Sequence, residues 1–164
     1  MLLAIYLNDH LAGSTAGRAL VNRAAASNRR TAYGPFLDEL AREIAEDRDA
    51  LLGIMGALNV RVDPIKVAAG WSAEKLGRLK LNGRLRGYSP LSRVVELEAL
   101  ALGVRGKLAG WHTLETLQDE RPIPASPPLA ELVARAERQL EALESHRRRA
   151  VAEALTLRTE RSGR

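Results

Sequence analysis

Three histidines, and carboxylates spaced one helical turn apart, are the side chains of this sequence best suited to chemistry. Glu43 and Asp47 stand at i and i+4, which puts both carboxylates on one helix face, where one could hold a proton that the other takes up. The sequence supplies no further part of such a site. No histidine adjoins the pair, and neither a glycine-rich phosphate loop nor a Gly-x-Ser-x-Gly elbow occurs. The chain has no cysteine, which removes thiolate nucleophiles, disulfides and Cys-ligated zinc or iron–sulfur centres together. His112-Thr113-Leu114-Glu115 pairs an imidazole with a carboxylate near a helix end, where a solvated flank is its expected role.

Other polar residues fall on stripes that otherwise read as core. Asp47 comes three residues after Ile44 and four before Leu51, a core-facing slot where an unpaired carboxylate would cost several kcal/mol. Glu98 and Arg105 border the stripe Val94, Leu97, Ala101, Val104, and Arg147 interrupts Leu143 and Ala150. Axial heights along antiparallel helices bring Glu98 level with Arg147 and set Asp47 between Glu98 and Arg105. If helices 2 and 3 run parallel, the expectation is one buried cluster of Asp47, Glu98, Arg105 and Arg147, with Arg105 or Arg147 donating to Asp47; the alternative is that each sits at the edge of its stripe and its side chain reaches out to water. His10 reads as a hydrogen-bonded core histidine.

The net charge is +5, and the most one-sided run lies at residues 75–93, where Lys75, Arg78, Lys80, Arg84, Arg86 and Arg93 occur without an acid. Such a basic surface could meet phosphate, which would make nucleic acid a partner. The favoured role is compensation of six acids between Asp38 and Asp49. Tyr88 is the only aromatic residue in the run, so no stacking platform for single strands accompanies it.

These residues need helices to position them, and the apolar spacing supplies four. The first is expected over 2–28, the second from Pro35 to about Leu58, the third from the Ser89-Pro90 cap to about Leu117, and the fourth from about Leu129 to Leu157. Four prolines between Arg121 and Pro128 forbid a continuous helix between the last two. Together they make one domain over 1–157, followed by a frayed tail at 158–164. The connection 59–89 is long enough to travel the length of a bundle, so helices 2 and 3 can run parallel. Asp63-Pro64 and Ser72 each cap a short helical piece within it. Residues 78–86 alternate basic and apolar around Asn82-Gly83, a hairpin signature, yet helix to about Leu81 is favoured by the good helix formers that precede it.

Two antiparallel helix pairs joined by one long crossover resemble the ferritin-like four-helix-bundle superfamily across nearly the whole chain. The run Ala73-Glu74-Lys75-Leu76-Gly77-Arg78-Leu79-Lys80-Leu81-Asn82-Gly83 looks like an uncharacterised bacterial branch of it. The resemblance implies an all-α fold, self-association as a homo-oligomer with a dimer as its commonest form, and a metal site. That site takes a Glu from each of two helices and a Glu-x-x-His from each of the other two. No Glu-x-x-His occurs here, and the first helix carries a single carboxylate, Asp9. The expectation is therefore a non-catalytic bundle acting as an oligomeric interaction or scaffold protein, with no cofactor. Its enzyme-class rival is a degenerate di-iron or manganese oxidase with His10, Glu43, Asp47 and Glu98 as ligands. The apolar start Met1–Leu7 is too short to span a membrane and lacks a basic flank, so a cytoplasmic protein without a membrane partner is expected.

Overall fold

A computed structural model describes residues 1–66, 88–120 and 122–156 of the 164-residue chain. Among these the protein is all-helical. Helix α1 spans Leu2–Asn28, α2 Gly34–Ala57, α3 Pro90–Gln118 and α4 Leu129–Val151, and a π-helical turn carries the last on to Thr156. None of them is long and apolar enough to cross a membrane.

The helix ends follow local chemistry. Ser89 is extended and its hydroxyl accepts the Ser92 amide at 3.1 Å, while Pro90 occupies the first helical position, where an amide donor would have no partner. At the end of α2, Asn59 adopts φ 53°, and the amides of Asn59 and Val60 return to the carbonyls of Gly56 and Met55. This is a Schellman closure with asparagine in the left-handed position. Asp63 then accepts the amides of Ile65 and Lys66, starting one helical turn as its pairing with Pro64 suggests. The rest of the connection, including the helix-or-hairpin segment 78–86 and the cap at Ser72, lies outside the described residues.

Residue pairs fix the helix directions. Between α1 and α3, Tyr6 meets Thr113, His10 meets Gly110 and Arg23 meets Glu96, so these two run antiparallel. Asn8 near the start of α1 bonds Arg61 and Asp63 just beyond the end of α2, which makes α1 and α2 antiparallel as well. Helices α2 and α3 are therefore parallel. Helix α4 runs against both, through Glu43–Gln139 and Phe36–His146 on one side and Lys107–Gln139 and Arg93–Glu153 on the other.

Inside, leucines from all four helices close one core, among them Leu11, Leu40, Leu97, Leu132 and Leu143, all essentially inaccessible. Ile123, between α3 and α4, is drawn into the same core from the proline-rich connection. The Ser89 cap gives a direct check on the start of α3: Ser89→Ala should lower stability by about 0.5–2 kcal/mol in urea unfolding.

Candidate functional site

The polar centre of the bundle forms around Asp47, which is 2% exposed. Its carboxylate takes the Lys107 ammonium from α3 and an N–H of Arg135 from α4, the latter at 3.0 Å. Gln139, one turn after Arg135, accepts from Lys107 and donates to Glu43 at 2.8 Å and to Asp47 at 3.4 Å. Asp47 and Glu43 thus face Lys107 and Arg135 with the amide of Gln139 tying them together, and on its outer side Arg135 also pairs with Glu46 at 3.2 Å and Glu131 at 3.6 Å. Burial pulls the Lys107 ammonium below the usual lysine range, and the charge of Asp47 opposes that pull.

This network differs from the cluster expected from axial heights. Arg105 is exposed and does not reach Asp47. Glu98 and Arg147 do meet, at 3.6 Å, but on a partly exposed flank away from Asp47, and Arg147 makes its closer bonds to Glu144 within its own helix. Arg148, one residue further on, donates to Glu144 as well, and the two arginines together hold the Glu144 carboxyl down at about 2. The residues that sequence reasoning missed were visible as the same kind of interruption. Lys107 lies three residues after Val104 and four before Trp111, and Gln139 three after Ala136 and four before Leu143.

The metal candidates do not converge. Glu43 and Asp47 are engaged by Gln139, Lys107 and Arg135, Glu98 is on the outer flank, and His10 is held against Gly110. Among the described residues no group of three or more His, Asp or Glu side chains is arranged to hold a metal ion. The donors present do not fit such an ion, because a cation placed beside Asp47 would have to displace an ammonium and a guanidinium.

Of the basic run, Lys75, Arg78, Lys80, Arg84 and Arg86 lie outside the described residues. Arg93 is turned inward, contrary to a place on an open basic surface. Its guanidinium sits 4.3 Å from the centre of the Tyr33 ring, donates to Asn28 Oδ1 at 2.7 Å and pairs with Glu153 at 3.2 Å. The fully buried Asn28 also donates to the Tyr88 hydroxyl, which in turn donates to Glu96, so this cluster locks the end of α1 to the start of α3. Burial pushes the Tyr88 phenol above the tyrosine range.

On the opposite side of the Asp47 network an apolar cleft of about 250 Å³ opens between α1, α2 and α3. Helices α1 and α3 touch at one end through His10–Gly110 and Tyr6–Thr113 and at the other through Arg23–Glu96. Between these contacts Gly13 and Gly17 of α1 and Gly103 and Gly106 of α3 leave open space where side chains would stand. His10 lies at the cleft edge-on to Tyr6, with ring centres 4.5 Å apart, and burial lowers its imidazole from the ordinary value of 6.5. It makes no hydrogen bond among the described residues, unlike the bonded core histidine expected. The other two histidines are tied locally, His112 to Glu115 and His146 to the Ala142 carbonyl.

Compared with protein-family models, curated proteins and solved structures, the chain gives no match.

Removing one member of the buried network leaves its partners as uncompensated charges. Asp47→Ala should destabilise by about 3–5 kcal/mol in urea unfolding, and Asp47→Leu combined with Lys107→Met should recover part of that loss, since two ions then leave together. Arg147→Ala, on the partly exposed flank, should leave the urea midpoint near that of the unaltered protein.

The lowered pKa of His10 has a definite sign. Above pH 6.5 the imidazole is neutral in both states and costs nothing. As pH falls below 6.5 the unfolded chain takes up the proton first, so stability declines until the folded His10 titrates too. Melting curves between about pH 7 and 5 should therefore fall less steeply for His10→Phe than for the unaltered protein.

Proposed function

We propose that this chain is a ferritin-like bundle without a catalytic centre, acting as an oligomeric interaction or scaffold protein. The observation that carries this reading is the closure of the inner carboxylates. Asp47 and Glu43 are satisfied by Lys107, Arg135 and Gln139, so the groups that could have ligated a metal or moved a proton are committed to holding three helices together. The parallel run of α2 and α3, with α1 and α4 antiparallel to both, supports the ferritin-like part of the proposal.

A surface for a second copy is offered by the outer stripe of α3. Leu91, Val95 and Leu102 recur at helical spacing on one face and are exposed, Leu102 to 72%. Isologous pairing of that stripe in a twofold dimer would cover it.

Metal analysis and sedimentation equilibrium on the same purified sample test the proposal. Iron, manganese and zinc should each fall well below one per chain, and the protein should sediment as a dimer that Leu102→Glu dissociates. Stoichiometric metal that disappears in Glu43→Gln would overturn the non-catalytic reading, and a monomer at every concentration would overturn the oligomeric one.

A further inference from the structure

Taking a cation partly out of water costs hydration, and among the described residues the half-buried cations are answered by carboxylates with one exception. Arg23 pairs with Glu96, Lys66 with Asp9, Arg93 with Glu153, Lys107 and Arg135 with Asp47, and Arg147 with Glu144. The exception is Arg48. It is half-buried on α2, finds Ile44, Ala45, Leu51 and Leu52 one turn away instead of an acid, and takes no acceptor among the described residues. Arginines that lack a partner elsewhere, such as Arg18, Arg61 and Arg105, are exposed, where water serves them.

Arg48 lines the apolar α1–α2–α3 cleft, and so does His10, the histidine without a hydrogen bond among the described residues. Neither is sealed off. Among the described residues, the fully buried side-chain polar atoms without a partner are the Tyr33 hydroxyl and the Trp111 indole nitrogen, so the nitrogens of Arg48 and His10 keep accessible surface. Other polar groups on the cleft are spent within the protein. The Tyr6 hydroxyl is 3.0 Å from that of Thr113, the Ser14 hydroxyl donates to the Leu11 carbonyl at 2.7 Å, and Asp47 is held by Lys107 and Arg135. Apolar walls with a few free polar groups are the composition of small-molecule sites.

The space suits a compact body. An apolar cavity of about 150 Å³ already holds benzene, and this cleft is about 250 Å³. A Cβ built on Gly13, Gly17, Gly103 or Gly106 meets nothing within 4 Å, so alanine, a better helix former, would fit at each without a clash. Charge narrows the class further. Burial holds the His10 imidazole below its ordinary value of 6.5, so at neutral pH the ring is uncharged and Arg48 is the one uncompensated cation on the cleft. We propose that the cleft binds a monocarboxylate with an apolar body of one or two rings, its carboxylate on the Arg48 guanidinium and its body between α1 and α3. The planar fork of arginine matches a carboxylate in shape and charge. An uncharged molecule would leave Arg48 unanswered, and a dianion would bring a second charge for which the cleft has no cation. The site adds a ligand to the scaffold reading and does not depend on it.

Isothermal titration calorimetry with three matched probes on the full chain at neutral pH tests this. Naphthylacetate has the body and the charge, naphthylacetamide the same body without the charge, and acetate the charge without the body. Naphthylacetate should bind once per chain and more tightly than either relative. Arg48→Gln should weaken it by about tenfold or more, the scale of one charge-assisted hydrogen bond, and leave naphthylacetamide unchanged. Gly17→Leu with Gly103→Leu fills the space and should weaken naphthylacetate by about tenfold or more. Should that double variant fail to fold by circular dichroism, Gly17→Val alone supplies the same test with less bulk. No binding of naphthylacetate, equal or tighter binding of naphthylacetamide or of acetate, an unchanged affinity in Arg48→Gln, equal losses there for both naphthyl probes, or indifference to the glycine substitutions would each overturn the proposal. Metal content and oligomeric state, measured without any probe, report separately on the scaffold reading, so failure of one is not failure of the other.

Discussion

Burying Asp47 among leucines is the constraint from which the arrangement of three helices follows. A carboxylate taken out of water must find charge and donors nearby, and neighbours on its own helix are no substitute for donors that arrive from across the interface. Lys107 comes from α3, Arg135 and Gln139 from α4, and each can reach Asp47 only if those helices hold one register against α2. Apolar packing alone is more permissive, because leucine stripes can slide by a turn and still bury area. The polar network thus acts as a register pin in an otherwise leucine-rich core. Two further pins sit near the bundle ends, at Asn8 with Arg61 and Asp63, and at Asn28 with Tyr88 and Arg93.

The sequence makes the helices legible because their boundaries are chemically marked. Ser89-Pro90 starts α3, the prolines after Gln118 stop it, and Asp47 declares itself by interrupting an apolar stripe. The partners of Asp47 were harder to read, for a geometric reason. Height along a helix says which residues are level, but direction around the axis decides which ones meet. Arg105 and Lys107 differ by two residues, about 3 Å in height and roughly 200° in direction, so they face opposite ways. Lys107 turns toward Asp47 and Arg105 toward water. Arg147 fails on the other coordinate, being eight residues beyond Gln139, about 12 Å along α4.

Arg93 illustrates a different limit. In the sequence it belongs to a run of cations, and charge patterning assigns the run to a surface. In the fold it stands in the first turn of α3, where the Tyr33 ring, Asn28 and Glu153 from three other segments converge on it. An arginine whose planar guanidinium can stack on a ring and bond at its edges is readily taken inside, and its neighbours in sequence carry no information about that. The asparagines behave alike. Asn28 reads as the end of a helix, and is one, but its buried amide also serves three partners.

The pins also explain where the bundle is not filled. Asp47 draws α2, α3 and α4 together on one side, while polar contacts between α1 and α3 fall toward their ends, at Tyr6 and His10 and at Arg23 and Asn28. Along the span between, the glycines at 13, 17, 103 and 106 supply no side chain to close the gap. Gly110 is the instructive exception, since a Cβ there would lie 2.9 Å from the His10 ring, and glycine is what permits that close approach. Glycine therefore serves two opposite ends on α3, contact at position 110 and vacancy at 103 and 106. The same helix face that fixes α1 in place at Gly110 thus leaves the space beside Gly103 and Gly106 open.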